Sequence, residues 1–164
     1  MVIVRPSQLS DIASFWSYID TVARERLYFG LVEARPLPDT AKFIAECVSA
    51  GDRQFVAYDE DRGQVVGGAD WHAETMVGFT HSCDLGIGLL QAYRGQGLGT
   101  QLLEACLAGA RRTGFERMQL STYSHNTPAI ALYKKMGFIE EGRQVRARFL
   151  DGMYSDKILM AKFL

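Results

Sequence analysis

The sequence is poor in cysteine and has no long apolar run. It has 3 cysteines among 164 residues, Cys47, Cys83 and Cys106, which are widely spaced and lie in apolar surroundings. An odd number at such spacing favours neither a disulfide framework nor a metal site, so we expect reduced thiols in the core and no metal. No apolar run approaches the roughly 20 residues that a membrane-spanning helix needs.

The sequence also lacks an excess of charge of either sign. The 18 Lys and Arg residues nearly balance the 19 Asp and Glu residues, which argues against a general nucleic-acid-binding or membrane-binding surface. Residues 1–6 have no apolar core of a signal peptide, and with the reduced thiols this predicts a cytoplasmic protein. The length suits a single domain, residues 1–164.

What is present is an alternation of short apolar segments and segments with helical spacing. This pattern predicts one mixed α/β domain, with a central mixed sheet of about seven strands flanked by about four helices. Residues 30–38 contain two prolines and are predicted to be irregular. Helices are predicted at residues 7–29, from 39 or 40 to 51, 98–110 and 127–136, and strands at 2–5, 54–58, 64–72, 80–90, 118–123, 138–149 and 157–163.

The most informative segment is a glycine-rich turn between a predicted strand and a predicted helix. It runs from Arg94 to Thr100, with glycine at positions 95, 97 and 99. Glycines let the backbone approach a ligand, and the first N–H groups of a helix attract an anion. The turn therefore predicts a phosphate-bearing cofactor, although such glycines also occur for steric reasons alone. The segment fits neither the nucleoside triphosphate P-loop nor the dinucleotide fingerprint.

A second segment, residues 126–138, supports this prediction. Asn126 is a good helix N-cap, Pro128 suits the first turn, and Gly137 is a typical helix stop. With both segments in order, the chain resembles the GNAT superfamily of acetyl-CoA-dependent N-acetyltransferases. The family's pyrophosphate motif is matched by Arg94, Gly97 and Gly99, and its second motif by Asn126, Ala129, Tyr133, Gly137 and Phe138.

The resemblance implies acetyl-CoA as cosubstrate and a parallel pair of strands, near residues 80–90 and 118–123, that splay apart. The pantetheine arm would pair with the first strand, and Gly86 and Gly88 would mark a bulge that opens the cleft. The alternative is a plain buried strand whose glycines allow close packing. The implied cofactor-binding residues are Ile87, Gly88, Leu89, Arg94, Gly95, Gln96, Gly97, Leu98, Gly99, Thr100, Asn126, Ala129 and Tyr133.

The resemblance also places a general acid at Tyr133, which would protonate the leaving thiolate of coenzyme A. A tyrosine packed on the helix face is the alternative. Glu33, in the irregular loop, is the predicted general base, although an exposed carboxylate is more often just solvated. The rival candidates lie on the predicted strand: His81 and Cys83 on one face and Asp84 on the other.

Several other charged or polar residues have competing interpretations. Lys134 and Lys135 could meet the cofactor's phosphates or form a solvated helix face. The run from Arg24 to Tyr28 could line the acceptor site or form intrahelical ion pairs. His72 and His125 are each isolated histidines and are interpreted as structural.

The predicted activity is direct acetyl transfer to the primary amine of a small molecule, such as an amino acid, an analogue or a polyamine. The segment from Asp151 to Met160 resembles family members that act on amino acids, small amines or ribosomal-protein termini. A protein N-terminus is therefore the second choice of acceptor, and a non-catalytic acyl-CoA sensor is a third interpretation. Because relatives often pair, the resemblance also allows a homodimer.

Overall fold

The computed structural model describes residues 1–164 as one seven-stranded sheet with helices on both faces. The strands are β1 (Val2–Pro6), β2 (Gln54–Asp59), β3 (Gln64–Ala73), β4 (Ser82–Leu89), β5 (Arg117–Tyr123), β6 (Ile139–Leu150) and β7 (Met153–Phe163). The helices are α1 (Ile12–Arg24), α2 (Leu37–Ala50), α3 (Leu98–Thr113) and α4 (Thr127–Lys135), with short 3-10 turns at Leu9–Asp11 and Gln91–Tyr93. The predicted α/β class is confirmed.

The sheet has the strand order β1-β2-β3-β4-β5-β7-β6, and β4 and β5 form its one parallel pair. Their pairing covers only three residues on each strand, from Ser82 to Asp84 on β4. Beyond Asp84 the strands separate, while β4 stays paired with β3 as far as Leu89. One edge of β4 is therefore without a strand partner, which confirms the predicted splay.

The bulge predicted at Gly86 and Gly88 is wrong. The pairing of β3 with β4 runs without a register shift through both glycines. Both positions instead make room for side chains on the α1 side of the sheet. A Cβ on Gly88 would lie 2.6 Å from the ring of Phe29 and 2.7 Å from the hydroxyl of Tyr18, and one on Gly86 would lie 3.4 Å from Asp70.

Alternation along the strands separates the core into two layers. On one face, Val56 and Val65 pack with residues of α1 and α2. On the other, Phe55 and Val66 pack with α3, and a larger cluster extends this layer to Tyr133 of α4. The sheet thus separates the two helical layers, except where β4 and β5 diverge.

The bounds of α1 and α2 differ from the prediction. Helix α1 begins after a 3-10 turn and ends at Arg24, five residues before the predicted end at Phe29, because Arg26 adopts a left-handed conformation with φ of +60°. Helix α2 begins at Leu37, before the predicted Asp39 or Thr40. Pro38 occupies its first turn, where a missing N–H is tolerated.

The last strand also begins earlier than predicted, at Met153 instead of residue 157. Asp151 and Gly152 both have positive φ, +52° and +76°, and form a two-residue turn. Such a turn joins two strands directly, so Leu150 already pairs with Met153. The sequence predicts the turn at Asp151 and Gly152 but not the early start of β7, because β6 and the start of β7 are largely exposed and show no apolar alternation.

Candidate active site

The glycine-rich turn lies at the C-terminal end of β4 and leads into α3. Gly95 and Gly97 have φ of +73° and +83°, and Gly97 is the N-cap residue of α3. No side chain caps this helix end, so its first N–H groups are available to an anion. Gly99 has a different reason to be glycine: a Cβ there would lie 3.2 Å from Leu132 of α4.

A buried carboxylate that the sequence pattern did not reveal fixes the start of this turn. The hydroxyl of Tyr93 donates to Asp59 at 2.7 Å, and Asp59 also accepts from Arg62 at 2.9 Å. The bond from Tyr93, followed by that from Arg62, lowers the pKa of Asp59 to about 2. The turn is therefore anchored to the end of β2, on the far side of β3.

A cavity of about 950 Å³ occupies the opening between β4 and β5. It reaches from the glycine turn to Val22 and Phe29 on the α1 side. All but two of the predicted cofactor-binding residues line it. The exceptions are Leu98, which is buried in the core, and Gln96, whose side chain donates to the carbonyl of Ala92 at 2.8 Å.

Tyr133 reaches this cavity from α4. It is only 6% exposed and packs against Phe138, with ring centroids 5.9 Å apart. Burial raises its pKa to about 12, so the phenol is protonated at neutral pH. Asn126, the N-cap residue of the same helix, also lines the cavity, and its side chain makes no capping hydrogen bond.

This geometry agrees with a comparison of the sequence with family models. Residues 18–138 match the model of the acetyltransferase (GNAT) family. The chain belongs to the GNAT family. The matched region includes both motifs and every element that lines the cavity.

Individual relatives agree with this assignment. Mycothiol acetyltransferase from Corynebacterium glutamicum is 41% identical over 76 residues, which cover 42% of this chain and 26% of that protein. The [ribosomal protein uS5]-alanine N-acetyltransferase of Escherichia coli is 29% identical over 108 residues, covering 65% of this chain and 55% of that protein. The chain thus spans about a quarter and about half of these two relatives.

The fold is shared with solved GNAT structures. That of yncA, a putative acetyltransferase from Salmonella typhimurium with its cofactor acetyl-CoA, superposes with a TM-score of 0.91 at 20% identity. The superposition covers 100% of this chain and 94% of the yncA chain. No helix of the present chain is long and apolar enough to cross a membrane, and no group of three or more His, Cys, Asp or Glu residues could hold a metal ion.

Arg94, the first residue of the GNAT pyrophosphate motif, is engaged by protein groups. Its guanidinium donates to Glu25 at 2.7 and 2.9 Å and to the carbonyl of Leu89 at 2.9 Å, and it lies over the ring of Tyr28. It thus ties the end of α1 to the end of β4. Its contact with phosphate stays a prediction. Lys134 and Lys135 do not line the cavity.

Glu33 lies outside the cavity. Its side chain is 66% exposed and lies 3.5 Å from Arg24. No carboxylate or histidine is among the residues that line the cavity. The role of Glu33 as the base therefore stays a prediction.

The rival candidates occupy the two faces of β4 as predicted, except that His81 precedes the strand. Cys83 is fully buried and its pKa is raised to about 12, chiefly by that burial, which makes it a poor nucleophile. Asp84 accepts from Gln119 at 3.1 Å, where the splay begins. All three cysteines are free and buried, which confirms the expected core thiols.

The two isolated histidines have defined partners. His72 lies 2.6 Å from Asp70, which raises its pKa, and stacks on Phe43. His125 stacks on Tyr123, and its Nε2 lies 2.9 Å from the carbonyl of Leu27. The irregular loop of the structure comprises residues 25–36, between α1 and α2. His125 thus holds this loop near the cavity, a contact that its position in the sequence did not indicate.

Proposed function

We propose that this protein transfers the acetyl group of acetyl-CoA directly to the primary amine of a small molecule. One observation carries the proposal: the unpaired edge of β4, the glycine turn and the hydroxyl-bearing ring of Tyr133 all border one cavity. A cofactor with a pyrophosphate, an amide-bearing arm and a thioester has a place for each part in that arrangement.

The backbone provides most of the cofactor contacts in this proposal. The pyrophosphate accepts hydrogen bonds from the N–H groups at the start of α3. The pantetheine arm pairs with Ile87, Gly88 and Leu89 on the open edge, as an added strand would. This pairing satisfies backbone groups that β5 leaves free beyond Asp84. The thioester then lies between the two layers of helices, accessible to an amine from the α1 side.

The chemical step needs a neutral amine and a proton for the departing sulfur. The amine nitrogen attacks the thioester carbonyl, a C–N bond forms, and the C–S bond breaks as the oxyanion collapses. Tyr133 gives its proton to the thiolate. Burial raises the pKa of Tyr133 to about 12, so the phenol keeps its proton until the thiolate forms beside it. The amine loses its proton through water, with Glu33 as the predicted acceptor.

The two relatives do not decide the acceptor, because the name of one refers to mycothiol and that of the other to ribosomal-protein alanine. A small amine is supported by the cavity, which is bordered by the irregular loop at Tyr28, Phe29 and Leu31. As part of this proposal, we also expect a cytoplasmic location and a homodimer.

The test is release of free thiol from acetyl-CoA with a panel of amino acids, polyamines and N-terminal peptides. Release with a small amine supports the proposal, and release only with peptides moves the acceptor to a protein N-terminus. Binding of acetyl-CoA without release by any acceptor favours the sensor interpretation. Failure to bind acetyl-CoA contradicts the proposal altogether.

A further inference from the structure

A second, smaller cavity of about 140 Å³ adjoins the cleft on the side of the irregular loop. It shares Tyr28, Gly30, Ser121 and Thr122 with the larger cavity, and Tyr123 and Lys157 complete its lining. An acceptor whose amine reaches the thioester from the α1 side would extend the rest of its structure toward this cavity.

Arg148 of β6 does not line this cavity but packs on Tyr123, which does, and it has an unused donor. Its guanidinium lies over the ring of Tyr123, 4.7 Å from the centroid, and its Nη1 donates to the carbonyl of Arg26 at 3.1 Å. Its Nη2 is buried and has no hydrogen-bond partner. A buried donor on a cation is costly to leave unpaired, so this atom is a candidate to bind an acceptor oxygen of a ligand.

Lys157 contributes a second positive charge. It lies opposite Tyr123 in the β5–β7 pairing and lines the small cavity. The nearby carboxylates are committed to other cations: Asp151 binds Arg26 at 2.7 and 2.8 Å, and Asp156 binds Arg143 at 2.7 Å. Neither Arg148 nor Lys157 takes part in an ion pair within the protein.

We propose that the acceptor carries a carboxylate beside its amine, as an α-amino acid or an analogue does, and that Arg148 and Lys157 bind it. This inference rests on the proposed acetyltransferase function. The planar fork of an arginine matches a carboxylate, and a charge-assisted bond would satisfy the buried Nη2. Two uncompensated cations would repel a polyamine, and a protein N-terminus has no carboxylate beside its amine.

The experiment compares each amino acid with its α-carboxamide, which keeps the amine and side chain but lacks the negative charge. We expect the amino acid to have a kcat/KM about 10- to 100-fold higher than the amide, the range of a hydrogen bond to a charged group. Arg148→Gln should remove most of this preference by lowering kcat/KM for the acid alone. Lys157→Gln should reduce the preference less, and the Kd for acetyl-CoA should stay unchanged in both variants.

Arg146→Gln is the matched control, because Arg146 lies on the same strand but over the exposed ring of Tyr154. It should leave the acid-to-amide ratio unchanged. Equal rates for acid and amide in the wild type, or an equal loss for both in Arg148→Gln, would overturn the inference while leaving the acetyltransferase proposal intact. If Arg148→Gln does not fold, Lys157→Gln carries the same comparison.

A binding measurement separates failure of this inference from failure of the proposed function. Calorimetry would compare N-acetyl amino acids with N-acetyl amino acid amides, in the presence of coenzyme A. Preference for the acid that Arg148→Gln abolishes supports the carboxylate site even where no acceptor in the panel releases thiol. Equal affinity for both products contradicts it.

Discussion

The two sides of the cleft are built in different ways. On the cofactor side, a turn with Gly95 and Gly97 in left-handed conformations presents backbone N–H groups at the start of α3. On the acceptor side, long side chains meet from distant parts of the chain, as in the pair of Arg26 with Asp151, 125 residues apart. A turn that binds through its backbone can be recognised in the sequence from its glycines. A site formed by side chains from distant parts of the chain can be recognised only in the folded structure.

The largest expected effect comes from the one side chain that the cofactor side contributes to the chemistry. Tyr133→Phe should lower kcat by about 100-fold or more, because it removes the proposed general acid, and should leave the Kd for acetyl-CoA unchanged. Steady-state kinetics and calorimetry measure the two quantities. Tyr58→Phe, on β2 beside Arg5, is the control and should keep full turnover. Full turnover in Tyr133→Phe would contradict the acid role.

The next effect tests whether the turn acts through its backbone. Gly97 and Gly114 are the two caps of α3, both have positive φ (+83° and +98°), and a Cβ on either would meet nothing within 4 Å. Alanine at either position should lower the free energy of unfolding by about 1 kcal/mol. Only Gly97→Ala should weaken the binding of acetyl-CoA, with a Kd roughly tenfold higher, equivalent to about 1.4 kcal/mol. An equal loss of affinity in Gly114→Ala would mean that general destabilisation is the cause.

A smaller effect is expected on the acceptor side. Asp151→Asn removes the charge that binds Arg26 and retains a residue that tolerates a positive φ. The irregular loop should lose its tether to the β6–β7 turn, so the KM for the amine should rise a few-fold at constant Kd for acetyl-CoA. Asp52→Asn breaks a comparable exposed pair, with Arg112 at 2.7 Å, and should change neither value. A parallel change in cofactor affinity would show that the two sides are not independent.

The smallest effect concerns His72, whose bond to Asp70 raises its pKa. Its charge therefore stabilises the fold fully below the unfolded pKa of about 6.5, and this contribution is lost as the pH rises through the higher folded pKa. His72→Gln should cost more at pH 5.5 than at pH 8, by less than about 1 kcal/mol because the ring is half-exposed. Urea unfolding at both pH values measures this. An equal loss at both pH values in His72→Gln would refute the charge effect.

The errors in the predicted fold share a physical origin. The apolar spacing of α1 continues beyond Arg24, but Arg26 adopts a left-handed conformation and meets Asp151. The sequence predicts a bulge at the glycines of β4, because a glycine in a strand does not indicate which neighbour needs the space. Phe29 and Tyr18 occupy it, and both lie far from Gly88 in the sequence.

The candidate site divides in the same way. Most residues of the two motifs line the cavity, since a turn and a helix face are local structures that short spacing determines. The partners of those residues were not predictable. Glu25, which binds Arg94, lies at the end of α1, and Asp59, which binds Tyr93, lies on β2. Local periodicity in the sequence does not indicate such contacts.

Composition and local spacing predict an α/β chain with a glycine-rich turn before a helix and with buried thiols, because hydrophobic periodicity and glycine conformations act over a few residues. Three features are visible only in the tertiary structure: β4 separates from β5, Glu33 lies outside the cavity, and Arg148 has a buried, unpaired donor. These features depend on which distant side chains compete for the same space and the same charge. That competition exists only in the folded chain.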